Sequence, residues 1–275
     1  MVLRLGFLAL IWGIGGIADG TAADPLRSEK ALFDGKSLEG LRTWLVDSQR
    51  EDPRAVFTVS NGTLRISGDG LGYIGTDSAY RDYRLVVEFR WGNTNSAWGD
   101  RLGKARDSGV FLHATGPDGN SQDGGGAFMA ALECQIMEGS VGDILLIRGT
   151  STNGVLIAPR VMVETEDAND ADGWPFWKTG GGARMLERWG RVNRKEKSRA
   201  WRDEFGFKGI YPEAPPGQWN KLECLCLKDR ITITLNGQVV NQVSGVFPDS
   251  GRILLQCEGS EVFFRRFDLF PLAPR

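Results

Sequence analysis

The stretch Leu132-Glu133-Cys134-Gln135-Ile136-Met137-Glu138-Gly139 lies near the middle of the 275-residue chain. Read with the two-residue period of a β-strand, Glu133, Gln135 and Met137 point one way and Cys134 and Ile136 the other. A carboxylate and an amide two residues apart, backed by apolar side chains, suit a strand whose front lines a wet cleft. Upstream, Asp107-Ser108-Gly109-Val110-Phe111-Leu112-His113 has the same character. Its alternation puts Asp107, Phe111 and His113 on one face and Ser108, Val110 and Leu112 on the other. His113 is the only histidine in the chain. These two strands are expected to form the floor of a binding or catalytic site.

Working outward, the same period recurs. Tyr83 to Trp91 places Leu85, Val87, Phe89 and Trp91 on one face and Arg84, Glu88 and Arg90 on the other. Phe57 to Ile66 is two alternating runs around Asn61-Gly62, and Arg230 to Val243 repeats the pattern around Asn236-Gly237. Asn-Gly between such runs favours the tight type I′ hairpin. Further short strands read at Gly72–Thr76, Asp143–Glu164, Trp219–Leu227, Gly251–Glu258 and Glu261–Leu269, and no long amphipathic helix is found. Short strands with turn signals every roughly 8–12 residues predict an all-β antiparallel sandwich or jelly roll. Thr165 to Pro216 interrupts the pattern. It starts acidic, turns basic, contains Trp174, Trp177, Trp189 and Trp201, and reads as a long loop insertion in which some tryptophans pack and others can stack on sugar rings.

Composition bounds the function. Charged residues make up 25% and hydrophobic ones 41%, an ordinary globular balance. The net charge is −2, which argues against nucleic acid, because phosphate binding needs a concentrated basic face. Residues 1–23 read as an export signal: a basic start, an uncharged apolar run from Leu5 to Ile17, and the small residues Thr21-Ala22-Ala23 for cleavage. The run is shorter than the ~20 apolar residues of a spanning helix, so no membrane span is expected after cleavage. The mature chain is expected in the periplasm or outside the cell. Cys134, Cys224, Cys226 and Cys257 all fall inside strands and read as small buried hydrophobes. A bridge from Cys224 or Cys226 to Cys257 stays open as an alternative.

Several stretches together resemble one family. They are Leu32 to Leu38, Asp107 to His113, Leu132 to Ile136, Gly217-Gln218-Trp219-Asn220, Leu235-Asn236-Gly237 and the tail from Ile253 to Gly259 and Phe264 to Arg266. In this order and spacing they are similar to the 3-keto-disaccharide hydrolase domain, over about residues 28–272. The resemblance implies one concanavalin A-like jelly-roll domain and cleavage of glycosides already oxidised to a ketone at sugar carbon 3. The family usually has Asn-Ser-Gly followed by an Arg at the strand end, where this chain has Asp107 and His113.

A 3-keto group acidifies the hydrogen on carbon 2, and its removal can expel the glycosidic group from carbon 1. Such a site needs a base, a polariser for the enolate and an acid for the leaving group. Glu133 and His113 are the candidate base and acid. Arg90 or a divalent metal can hold the enolate oxygen, and Gln135 can bind a hydroxyl. Asp107, Glu88, Gln256 and Glu258 are further candidates for binding a small carbohydrate, with Trp174 and Trp177 as stacking platforms. A metal at His113 with Glu133 or Asp107 is not supported by ligand spacing. The rival reading is a non-catalytic, lectin-like carbohydrate-binding module, since the architecture does not fix the function. A structural envelope protein that has lost its site is a third.

Overall fold

The computed structural model describes residues 30–122, 125–195 and 211–272. Residues 1–23, expected as an export signal, and Trp201 lie outside the described residues. In chain order the strands are β1 (Lys30–Ala31), β2 (Leu41–Leu45), β3 (Phe57–Ser60), β4 (Thr63–Ile66), β5 (Leu71–Thr76), β6 (Tyr83–Asn95) and β7 (Asp107–Thr115). Next come β8 (Ala130–Met137), β9 (Ile144–Ile147), β10 (Gly149–Thr150), β11 (Leu156–Ile157), β12 (Arg160–Asn169), β13 (Pro175–Trp177) and β14 (Gly182–Glu187). The last are β15 (Gly190–Val192), β16 (Asn220–Leu227), β17 (Arg230–Leu235), β18 (Gln238–Phe247), β19 (Arg252–Glu258) and β20 (Ser260–Pro271). Among the described residues the only helical piece is a 3₁₀ turn at Trp98–Asp100. No helix among them is long and apolar enough to cross a membrane.

Two antiparallel sheets face each other. One runs in the order β2-β5-β19-β7-β8-β9-β15 and is called here the site sheet. The other, the back sheet, runs β13-β12-β18-β17-β16-β6-β20-β4-β3, with β1 added on β20 and β14 on β12. Alternation drives the packing. The site sheet sends Val110, Leu112, Leu132, Cys134 and Leu255 inward, and the back sheet answers with Leu85, Val87, Phe89, Leu222 and Phe264. Each side chain of this size buried from water contributes roughly 1.5–3 kcal/mol, which fixes the register, because a one-residue slip would turn the set outward. The result is the antiparallel jelly roll that the strand pattern predicts. Both Asn-Gly hairpins close as expected, with positive φ at Asn61 and Gly62 (50° and 73°) and at Asn236 and Gly237 (49° and 85°).

Residues 165–192, expected as an aperiodic loop, are largely strands instead. β12 continues to Asn169 and pairs with β13 and β14, widening the back sheet. β15 adds to β9 at the edge of the site sheet. Of the six residues of β14 only Leu186 is buried, so these strands are held by backbone pairing and leave no apolar alternation in the sequence to detect. Trp177 is packed in the main core. Trp174 is half-buried, and Trp189 is exposed. All four cysteines are buried and unbridged, as small hydrophobes of the strands that carry them.

Candidate active site

The site is set by the register of three strands. β8 pairs with β7 so that Glu133 stands opposite Phe111, Gln135 opposite Gly109, and Met137 opposite Asp107. On the other side of β7, Leu254 of β19 also stands opposite Phe111. Two residues further along, Gln256 falls level with Gly109. The face of the site sheet turned away from the main core therefore carries Glu133, Gln135 and Gln256 around a position that has no side chain. That gap is needed. A Cβ on Gly109 would lie 2.4 Å from Glu133 Oε1 and 2.9 Å from Gln256 Oε1.

This face is covered over much of its area. Phe111, Leu254 and Tyr73 form a second apolar cluster with Phe128 and Met129, against which Trp44 packs. Glu133, Gln135 and Gln256 are only 3%, 4% and 1% exposed. Their polar atoms are nonetheless incompletely used. Gln135 Nε2 donates to Asp107 Oδ1 at 2.6 Å, and Gln256 Nε2 donates to Glu258 Oε2 at 2.7 Å. Among the described residues, Glu133 Oε1, Gln135 Oε1 and Gln256 Oε1 have no hydrogen-bond partner. A buried acceptor left unpaired costs about 1–3 kcal/mol. Three on one small patch of sheet mark a place built for a ligand rather than for stability.

The charges around the patch act on Glu133. Burial pushes its carboxyl well above the usual carboxylate range, and the nearby Glu258 and Asp107 push it the same way, while Arg191 opposes them. Arg191 lies in line with Glu133 across the sheet, through Leu145 of β9. Its Nε donates to Asp143 Oδ2 at 2.7 Å and its Nη2 to Ser140 Oγ at 3.2 Å. Asp107 also has Arg101 nearby, with Nη1 at 3.4 Å from Oδ2, and its backbone N–H donates to Ser260 Oγ. Next to this network, buried Arg194 donates from Nη2 to Glu213 Oε1 at 3.2 Å. Glu213 accepts the N–H groups of Gly139 and Val141 as well, and burial raises its pKa to about 7.

Of the residues singled out in the sequence, Glu133, Gln135, Asp107, Gln256 and Glu258 come to one place, but the five other candidates stand elsewhere. His113 is a correction. Its φ is +58°, at a bulge where the β7–β8 register shifts between Leu112 and Thr115, so the strict alternation that put it beside Asp107 fails there. Its ring meets Tyr83 of the back sheet edge-on at 5.7 Å, and its Nδ1 lies 2.9 Å from Pro248 O. Burial holds its pKa below the ordinary value. Glu88 and Arg90 are also corrected. Their β6 neighbours Val87 and Phe89 face the core, so both lie on the outside of the back sheet, across the sandwich from Glu133. There Glu88 accepts from Arg265 Nε at 2.6 Å, and Arg90 stacks on Phe263 and Trp219. Trp177 is corrected as a stacking platform because it fills the core. Trp174 packs towards Gly190.

Sequence reasoning missed Gly109, Arg101 and Arg191. The first had a signal, a glycine inside an otherwise well-formed strand, which points to close approach by a neighbour. Both arginines come from segments without strand alternation. Among the described residues, no three His, Cys, Asp or Glu side chains are arranged to hold a metal ion. The pairing of His113 with Glu133 or Asp107 in such a role is not formed.

A jelly roll with a buried carboxyl–amide patch on one sheet is the class that this geometry defines. Residues 28–269 match the family model of the 3-keto-alpha-glucoside-1,2-lyase-like domain, and the chain belongs to that family. Among solved structures, a provisionally assigned glycosyl hydrolase of Parabacteroides distasonis shares the fold: 17% identity, 89% of this chain and 94% of that chain covered, TM-score 0.51. The β-glucanase of Bacillus licheniformis aligns at 10% identity over 91% of this chain and 100% of that one, TM-score 0.44. The carbohydrate-binding module CBM66 of Bacillus subtilis aligns at 9% identity over 83% and 94%, TM-score 0.41. No curated protein sequence matches.

Proposed function

We propose that the chain is an exported enzyme that cleaves 3-keto-glycosides, with Glu133 as the base. The observation that carries this is the buried Glu133 carboxyl with an oxygen left free of partners, flanked by two amide oxygens in the same condition. A carboxylate with a raised pKa is a stronger base than a surface one and suits proton abstraction from carbon next to a ketone. The C2–H proton passes to Glu133, and the electron pair of that bond moves towards the C3 ketone to give an enolate. Collapse of the enolate breaks the C1–O bond, and the departing oxygen takes a proton. The product is a 1,2-unsaturated 3-keto sugar, and addition of water across that double bond completes net hydrolysis. Arg191 is the cation that acts on Glu133 and offsets negative charge accumulating over the patch. Asp107 and Glu258, held to the two glutamines, complete the set of carboxyls around the sugar. The 1–23 leader supports a periplasmic or extracellular location.

The test is incubation of the mature chain with 3-keto-trehalose beside a Glu133→Gln variant. Release of 3-keto-glucose or its dehydrated form by wild type, and not by the variant, supports the reading. Binding of the sugar without cleavage would replace it with the lectin-like one.

A further inference from the structure

We infer that Gln135 and Gln256 are a paired acceptor clamp for the two hydroxyls on either side of the sugar ketone, and that Asp107 and Glu258 are positioning residues that hold the clamp in this sense. The inference rests on the proposed 3-keto-glycoside reading and names what the site recognises in such a sugar.

A primary amide has one accepting end and one donating end. Which end faces a ligand is decided by the partner of the other. Gln135 gives its NH₂ to Asp107 Oδ1 at 2.6 Å. Gln256 gives its NH₂ to Glu258 Oε2 at 2.7 Å. An ionised carboxylate only accepts, so turning either amide round would set oxygen against oxygen. Both Oε1 atoms are therefore left as the free ends, buried and without a partner among the described residues. Two glutamines in the same state on the two strands flanking β7 form a matched arrangement.

Their placement brackets the Glu133 carboxyl. Gln135 and Gln256 are level with Gly109, one strand to either side, so their backbones are roughly 9–10 Å apart. With no side chain of its own, Gly109 gives the Glu133 carboxyl and the Gln256 amide room to close over the strand. Glu133 Oε1 and Gln256 Oε1 both lie within 3 Å of the point where a Cβ on Gly109 would stand, so the groups lean over the glycine. In a 3-keto-hexose the ketone is flanked by the hydroxyls on carbons 2 and 4, which can both donate. The ketone oxygen can only accept and satisfies neither amide. A sugar lacking one flanking hydroxyl leaves a buried acceptor unpaired, the arrangement that gives a binding site its sharpest discrimination.

The experiment measures binding, with no bond to break. A 1,5-anhydro-3-keto-hexitol and its 2-deoxy and 4-deoxy forms are titrated into the full mature chain by calorimetry. Wild type is expected to bind each deoxy ligand at least ~10-fold more weakly than the parent. In Asp107→Asn the penalty for one hydroxyl shrinks, and in Glu258→Gln the penalty for the other shrinks, because each substitution lets its glutamine turn. Glu258 is partly exposed, so its variant keeps the test alive should Asp107→Asn fail to fold. Equal affinities for the three ligands in wild type would overturn the inference, as would variants that weaken all three ligands alike. Selective binding by a protein that cleaves nothing would refute the proposed function and leave the clamp standing. Cleavage indifferent to both hydroxyls would refute the clamp alone.

Discussion

Gly109→Ala adds one methyl group at the centre of the patch. The strand backbone there accepts an alanine, because Gly109 lies within β7 and outside the left-handed region. The new Cβ would stand 2.4 Å from Glu133 Oε1, 2.9 Å from Gln256 Oε1 and 3.0 Å from Glu133 Cδ. Ordinary contact requires the carboxyl to retreat by about 1 Å. The atoms in the way are the ends of flexible side chains, so the fold gives locally and the stability cost stays at or below about 1–3 kcal/mol. Catalysis has less tolerance, since misplacing a reacting group by ~1 Å costs on the order of 10²-fold in rate. Initial rates of 3-keto-glucose release should show kcat down by about that factor in a variant that still melts cooperatively. Activity close to wild type would refute the claim that the Glu133 carboxyl over Gly109 is the reacting group.

Three further outcomes follow from the buried charges. Glu133→Gln should melt higher than wild type at neutral pH, because it replaces a carboxyl whose ionised form is disfavoured by burial and by Glu258 and Asp107; a lower melting temperature would contradict this. Glu213 stays protonated in the folded chain up to about pH 7 while the unfolded chain ionises near 4.5. Stability should therefore fall as pH rises through that interval, and Glu213→Gln should flatten this part of the profile in thermal melts. His113→Asn keeps a residue that tolerates the left-handed backbone but loses the ring contact with Tyr83. It should cost about 1–3 kcal/mol in urea unfolding and leave kcat unchanged, whereas a catalytic role would abolish turnover.

The sandwich was legible because period-2 alternation is enforced by burial: Leu85, Val87 and Phe89 could not be turned outward without emptying the core. The same rule placed Glu133 and Gln135, since β8 is regular along its length. It failed at His113, where a bulge with φ of +58° breaks the alternation and no glycine or turn residue announces it. It also failed for Glu88 and Arg90 in a different way. Their face along β6 was read correctly, but one strand's pattern does not say which sheet it joins or what lies beyond the outer face. Arg191 was out of reach because β15 is three residues long, too short for a period to show. Trp177 reads like any exposed tryptophan in a charged stretch, and only the pairing of β13 with β12 carries it into the core.

The site also shows where function opposes stability. Three buried acceptors without partners, one of them on the carboxyl whose ionisation is resisted, lower the stability of the empty chain. A ligand that supplies donors relieves this, so sugar binding should raise the melting temperature by mass action.

The most direct test of the central claim is cleavage of a 3-keto-glucoside carrying deuterium at carbon 2. The labelled sugar should be cleaved more slowly than the unlabelled one in a single turnover, and Glu133→Gln should cleave neither. Equal rates for the two sugars, together with continued cleavage by the variant, would contradict proton abstraction by Glu133.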